Sequence, residues 1–256
     1  MIKEETRFAP SNVFEGMVSF RALIDGIKKG TTDRKIERVV FDKSRAKKIS
    51  GHLSYIKAMS YELGFEMCEA EPGEIDSVAV GSSHGGIISY ASKRMLPELT
   101  SDNIDDNGFY VYLDGIEDPY NFGYALRSLY AAGVTAVILG KRNFMSAAGV
   151  VCRASAGASE MMHLYESEPD AAASVFGSKN YKIVCADIDD SVSVDDADLK
   201  KPLLLAVGGE KRGLSKAFYE HPHITVRLDY GRDFPAALSA ASASSILAFE
   251  VYRQNR

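Results

Sequence analysis

Residues 113–134 read LDGIEDPYNFGYALRSLYAAGV, and the reading of this stretch decides the fold. The preceding run, Phe109-Tyr110-Val111-Tyr112, is aromatic and β-branched, so a strand is predicted to end at Leu113. Asp114-Gly115 breaks that strand, and a polar loop runs through Pro119. From Asn121 the apolar spacing predicts a helix, with Leu126, Leu129 and Tyr130 near one face and Gly133 closing it. Asn121 and Arg127 then stand six residues apart near a helix start, as two donors able to orient a phosphate or a ribose. The plain alternative is a strand-loop-helix unit whose Asn caps the helix.

Working outward, strands and helices alternate through the rest of the chain. Strands are predicted at 110–113, 136–139, 162–165, 182–186, 203–207 and 225–228, and helices at 121–132, 146–153, 171–178 and 238–253. That alternation predicts an α/β domain with a parallel sheet covered by helices on both faces. A ligand then belongs outside the carboxyl ends of the strands. Before residue 97 the pattern is that of a small mixed α/β domain. It has helices ending at Gly30 and over 43–63, strands at 36–41, 65–68 and 86–90, and a short helix at 72–77. The segment 97–108, PELTSDNIDDNG, has little periodicity and many turn formers. The predicted organisation is a domain over 1–98, a linker over 99–108 and a second domain over 109–256.

Composition sets limits on function. At 256 residues the chain can bury a sizeable core in one or two domains. No run approaches the roughly 20 apolar residues of a membrane span, and the first residues lack a signal-type apolar run. Cys68, Cys152 and Cys185 are far apart and form no CxxC pair, so no disulfide framework, zinc site or other metal centre is expected. A reduced, cytoplasmic setting fits. The net charge of −5 argues against nucleic-acid binding, but its distribution argues for it. Between Arg21 and Lys57 eleven basic residues stand among four acids, a local balance of +7. Such a stretch is either a surface for a polyanion or a solvated helix face. Lys43, Arg45, Lys47 and Lys48 are its candidate contacts to such a polyanion, RNA included.

Two further segments carry chemistry. Leu203–Ser215, LLLAVGGEKRGLS, is an apolar strand running into a loop with Gly208, Gly209 and Gly213. Glycines there let backbone approach a ligand closely. No Gly-Lys-Ser/Thr and no GxGxxG is present, which argues against a Walker loop and a dinucleotide fingerprint. Leu228–Arg253 ends in an amphipathic helix whose small residues, Ala236–Ser245, permit close approach of another backbone or a ligand.

Together these segments resemble the three motifs of the SpoU/TrmH-type RNA ribose methyltransferases of the SPOUT superfamily. Leu113-Asp114-Gly115, Asp118-Pro119, Asn121, Gly123 and Arg127 match the first. Gly208, Glu210, Gly213, Leu214 and Ser215 match the second, with Gly209 and Lys211 departing from it. The third, Ser-Leu-Asn-x-Ser, aligns on Ala237, Leu238, Ser239 and Ala241 and is divergent. Arg153-Ala154-Ser155-Ala156-Gly157-Ala158 resembles the stretch between the first two motifs. Phe14-Glu15-Gly16 and Ser83-His84-Gly85-Gly86 resemble features of an N-terminal RNA-binding domain akin to ribosomal and kink-turn-binding proteins.

The resemblance implies a trefoil knot, S-adenosylmethionine as methyl donor, rRNA or tRNA as substrate and a homodimer built across the first-motif and C-terminal helices. It implies Asn121, Arg127, Glu210 and Ser239 as catalytic residues, with Arg127 on the RNA side and Glu210 tethering Arg127 or an RNA group. Val207, Gly208, Gly209, Leu228 and Leu238 would hold the donor. The expected reaction is methyl transfer to a ribose 2′-hydroxyl. The divergent third motif keeps a second reading open, a non-catalytic RNA-binding or ribosome-assembly protein. A Rossmann oxidoreductase is disfavoured by the missing fingerprint.

Overall fold

The computed structural model describes residues 12–71, 73–140 and 147–256. Its strands are β1 (Val13–Glu15), β2 (Ile36–Asp42), β3 (Glu66–Ala70), β4 (Ile87–Ala91), β5 (Phe109–Asp114) and β6 (Ala136–Leu139). They continue with β7 (His163–Glu166), β8 (Lys182–Ala186), β9 (Val192–Ser193), β10 (Leu203–Gly208) and β11 (Ile224–Arg227). The helices are α1 (Gly16–Lys29), α2 (Ser50–Leu63), α3 (Glu74–Val78), α4 (Pro119–Ala131), α5 (Ala148–Ala154), α6 (Ala158–Met161), α7 (Pro169–Ser178) and α8 (Ala240–Asn255). They form two compact units. One contains the described residues up to Met95 together with Ala147–Met161; the other contains the rest.

The first unit is built on a four-stranded sheet in the order β1-β4-β2-β3. β4 runs antiparallel to β1 and β2, and β3 parallel to β2. Phe14, Phe20, Leu23, Val39, Ile56 and Ile87 fill its core. Helices α5 and α6, which follow β6 in sequence, belong here. A Cβ built on Gly149 of α5 would lie 1.8 Å from the Val13 carbonyl oxygen, so only glycine allows this approach to β1. Deeper in the unit Arg34 Nε meets Glu160 Oε2 at 3.0 Å, both side chains being almost fully buried. Thr32 Oγ1 donates to the same oxygen at 3.1 Å, and Arg34 Nη1 donates to the Ser92 carbonyl at 2.6 Å. Arg94 donates to the Ser159 carbonyl at 2.5 Å, and burial pulls its pKa down.

The second unit holds a seven-stranded sheet in the order β7-β6-β5-β10-β8-β11-β9, with every pairing parallel. β5 and β10 lie at its centre and are buried along almost their whole length, as parallel strands covered on both faces must be. On one face Tyr110 packs on Phe176 with ring centres 5.0 Å apart, and Tyr112 on Phe218 at 4.8 Å. α4 and α8 pack against each other. The path β5, β6, β7 runs toward one edge, and the α7 crossover returns it to β8. The direction reverses between β5 and β10, where open α/β sheets leave a crevice at their carboxyl ends.

The parallel α/β fold agrees with the sequence-based expectation, and the differences have local causes. α4 starts at Pro119 rather than Asn121, because Asp118 is the cap, its Oδ1 accepting the Asn121 N–H at 2.8 Å. α2 starts at Ser50 rather than Lys43, because Asp42 caps a 3-10 turn over Lys43–Arg45. α8 starts at Ala240 because Ser239 caps it. The expected helix starts Pro72 and Ser146 lie outside the described residues. The stretch 99–108, expected as a linker, buries Leu99 and Ile104 in the core of the second unit, and Leu99 N–H bonds the Glu166 carbonyl at 2.9 Å. Residues 147–161, expected in the second domain, complete the first unit instead.

Candidate active site

Parallel pairing of β5 and β10 sets Gly208 opposite Asp114, so the loops leaving both strands emerge side by side. The β10 loop folds tightly. Gly213 N–H bonds the Gly209 carbonyl at 2.9 Å, and a Cβ on Gly208 would fall 2.2 Å from Gly213 C. At Gly209 an added Cβ would meet the Gly115 carbonyl at 2.4 Å, so backbone packs directly on backbone between the loops. Asp114 Oδ2 accepts the Ser215 N–H at 2.8 Å, and Lys211 pairs with Glu117 at 2.6 Å. The two loops therefore form one frame. A crevice of about 270 Å³ opens beside it, lined by Tyr112, Asp114, Gly140, Glu168, Lys211 and Arg212 among others.

Two of the expected catalytic residues meet in that frame. Asn121 Nδ2 donates to Glu210 Oε1 at 3.2 Å. Glu210 thus holds Asn121, where the resemblance implies a tether to Arg127 or an RNA group. Six residues of helix turn the chain through about 600°, which sets Arg127 roughly 120° away from Asn121. Arg127 is exposed and has no hydrogen bond or ion pair among the described residues. Tyr124 and Tyr130 flank it at three residues either side and are exposed by 52% and 38%.

The expected donor residues sit on the other side of the β10 exit. Val207 and Gly208 end β10, while Leu228 follows β11, with β8 between the two strands. Leu238 lies just before α8 and donates its N–H to Tyr230 Oη at 3.2 Å. Ser239, at the place of the family asparagine, accepts the Ser242 N–H at 3.2 Å. Its oxygen is thereby engaged in capping α8. The four basic residues divide into two pairs. Lys43 faces Glu71 at 3.5 Å and Arg45 faces Asp42 at 3.2 Å. Lys47 and Lys48 are exposed and without an ion pair among the described residues. The basic stretch is not one surface, since Arg34 is in the core and Arg38 covers the Tyr90 ring at 4.4 Å.

Two features escaped the sequence reading. Arg153 of the Arg-x-Ser-x-Gly-Ala stretch is bound by Glu15 at 2.6 Å within the first unit. Tyr230 and Phe234 stand exposed with ring centres 6.3 Å apart. Exposed aromatics outside a periodic element leave no spacing signal. Among the described residues no cluster of three metal ligands occurs, and no helix is long and apolar enough to cross a membrane.

The family model described as the SpoU rRNA Methylase family matches residues 108–249. The chain belongs to this family. As a SpoU methylase it is an S-adenosylmethionine-dependent RNA methyltransferase. It is similar to the 23S rRNA (guanosine-2′-O-)-methyltransferase RlmB of Shewanella oneidensis, with 30% identity over 187 residues, covering 71% of this chain and 76% of the relative. RlmB of Xylella fastidiosa is 29% identical over 198 residues, covering 75% of this chain and 79% of its own. In fold it is similar to the AdoMet-bound rRNA methyltransferase from Sinorhizobium meliloti, at a TM-score of 0.77, 21% identity, and coverage of 94% and 87%. The AdoMet complex of the SpoU methyltransferase AviRb from Streptomyces viridochromogenes gives 0.73, 20%, 94% and 89%.

Proposed function

We propose that this SpoU methylase transfers a methyl group to a ribose 2′-hydroxyl of rRNA, as a homodimer in the cytoplasm, with the reaction centre at the Asn121–Glu210 frame. The observation that carries this reading is the joining of the first and second motifs by the Asn121–Glu210 hydrogen bond at 3.2 Å. The named substrate of its RlmB relatives, a guanosine 2′-oxygen of 23S rRNA, is the first to test.

The donor residues fit the group they are assigned. Leu238 offers a half-buried apolar side chain, while Val207 is buried and the side-chain positions of Gly208 and Gly209 are filled by Gly213 and Gly115, so these three serve the donor through backbone alone. The ends of β10 and β11 lie two strands apart, about 10 Å, a span that a nucleoside with its amino-acid tail bridges. When bound, the donor supplies a methyl on a sulfonium sulfur. The 2′-hydroxyl accepting that methyl would release its proton to solvent. Asn121, fixed by Glu210 and by the Asp118 cap, orients the ribose. Arg127 stabilises the developing oxyanion and holds the adjacent phosphate. A guanidinium, with a pKa above about 12, serves poorly as the base. The trefoil knot belongs to this reading, as does an RNA-binding role for the first unit through Lys47 and Lys48.

The dimer expectation needs a different face. The apolar side of α4 and the small-residue side of α8, including Ala241, Ser244 and Ala248, are buried within the second unit. What remains exposed is Tyr124 and Tyr130 on α4 and Ile246, Phe249 and Tyr252 on α8. Exposed apolar side chains on two helices that pack together support an interface there. Arg127 lies in that stripe, so each active site is completed by the arginine of one protomer reaching the Asn121–Glu210 frame of the other.

Arg127→Ala is expected to abolish methyl transfer while leaving binding of S-adenosylhomocysteine nearly unchanged. Loss of one oxyanion donor costs about 2.7–4 kcal/mol, or roughly a hundred- to thousandfold in rate. The measurement is labelled-methyl incorporation into RNA from cells lacking the protein, beside calorimetry with the product. Wild-type protein that binds donor and RNA but transfers nothing would favour the non-catalytic reading, and Ser239→Asn would then be tested for gained activity.

A further inference from the structure

We propose that the loop between β11 and α8 is a stacking platform for an unpaired RNA base, built from Tyr230, Phe234 and Arg232. The proposal rests on the reading of the chain as an RNA methyltransferase and adds to it a site for the substrate strand. Tyr230 and Phe234 are exposed by 41% and 55%, with rings inclined at 49° and centres 6.3 Å apart. Splayed rings of this kind leave their faces free rather than spending them on each other. The hollow beside them is about 400 Å³ and is bordered by Asp229, Tyr230, Gly231, Arg232, Phe234 and Leu238.

The platform is held in shape. Tyr230 Oη accepts the Leu238 N–H at 3.2 Å, which ties its ring to the start of α8. Asp229 is engaged by Arg227 Nε at 2.8 Å. Phe234 precedes Pro235, and a residue before proline is confined to extended backbone, which lowers the entropy lost on binding. Arg232 is exposed without an ion pair among the described residues, and its planar guanidinium can stack on a base as an aromatic ring does. The occupant follows from this chemistry. Two aromatic faces and a guanidinium suit a nucleobase of either type, because every base has a π-face. The attraction is therefore stacking, not phosphate neutralisation, and should be insensitive to salt. The loop joins Leu228 to Leu238, both assigned to the donor, so a base held here borders the donor's residues.

The chain has no tryptophan, so Phe234→Trp places a single fluorescent reporter in the platform. A short oligouridylate, which lacks adenine, is titrated in the presence of saturating S-adenosylhomocysteine. The expected result is quenching of the introduced indole by the oligouridylate and not by a duplex RNA of the same length. Phe234→Ala should weaken oligouridylate binding by about 5- to 150-fold, the equivalent of about 1–3 kcal/mol per stacked base, with the salt slope unchanged. Arg232→Gln should weaken it less and should also leave the slope unchanged. Loss of S-adenosylhomocysteine affinity in Phe234→Ala, with RNA binding intact, would assign the ring to the donor's adenine and overturn the proposal. Wild-type protein that binds S-adenosylhomocysteine but no single-stranded RNA would overturn it while leaving the donor reading in place. Wild-type protein that binds neither would overturn the methyltransferase reading itself.

Discussion

A charge can be kept inside a protein only beside its partner, and Arg34 has few ways to lose Glu160 safely. Arg34 Nη2 is buried with no hydrogen bond among the described residues, although the guanidinium lies 4.9 Å from the Phe14 ring. Glu160→Ala would leave that cation uncompensated, and a loss of roughly 3–5 kcal/mol is expected. Arg34→Met combined with Glu160→Leu should recover most of it, as read from urea midpoints of the single and double variants. Burial also acts on the thiols, pushing Cys152 and Cys185 up to about 12. Unfolded thiols ionise near ~8.5. The stability contributed by these two protons is complete below that value and is lost as pH rises toward the folded-state values. The urea midpoint should fall between about pH 9 and 11, and Cys152→Ala or Cys185→Ala should flatten the fall. None of this was legible in the sequence. Arg34 stood in a basic stretch that read as surface, because its partner is 126 residues away. Asn121 and Glu210 were legible because they lie in motifs with fixed spacing, but the bond between them was not.

At the scale of elements, the central strands were read well because β5 and β10 are continuous apolar runs with sharp glycine ends, whereas the short edge strands β1 and β9 were missed. Helix starts were read less well. Asp118, Asp42 and Ser239 each act through one side-chain oxygen, which shifts a start by a few residues without changing the periodicity. Asp118→Ala should cost about 1 kcal/mol, the usual worth of an N-cap. It should also lower kcat more than that loss of stability explains, since the same cap fixes the backbone of Asn121. Asp118→Asn, which keeps the cap, should restore both. Gly208→Ala is expected to open the β10 loop, because its Cβ has no space against Gly213. Loss of S-adenosylhomocysteine binding with an unchanged far-ultraviolet spectrum would be the sign.

For the whole molecule, the parallel sheet and the order of the motifs were legible, while the membership of residues 147–161 was not, because a chain excursion has no period. Two surfaces remain to be filled in the proposed assembly. Tyr124→Glu with Phe249→Glu should yield monomers in sedimentation and abolish transfer. Lys47→Ala with Lys48→Ala should weaken RNA binding and reduce its salt slope by about 1.4–1.8, since each phosphate contact contributes about 0.7–0.9. The tight seat of Gly149 on β1 and the Arg34–Glu160 pair have a consequence for biosynthesis. The first unit is discontinuous along the chain, so a ribosome that has released only its first hundred residues has released an unfinished core. That nascent unit must wait through the synthesis of β5, α4 and β6 before its last two helices emerge. A fragment ending at Met95 should therefore stay open and protease-sensitive, and a peptide carrying residues 147–161, added in trans, should close it.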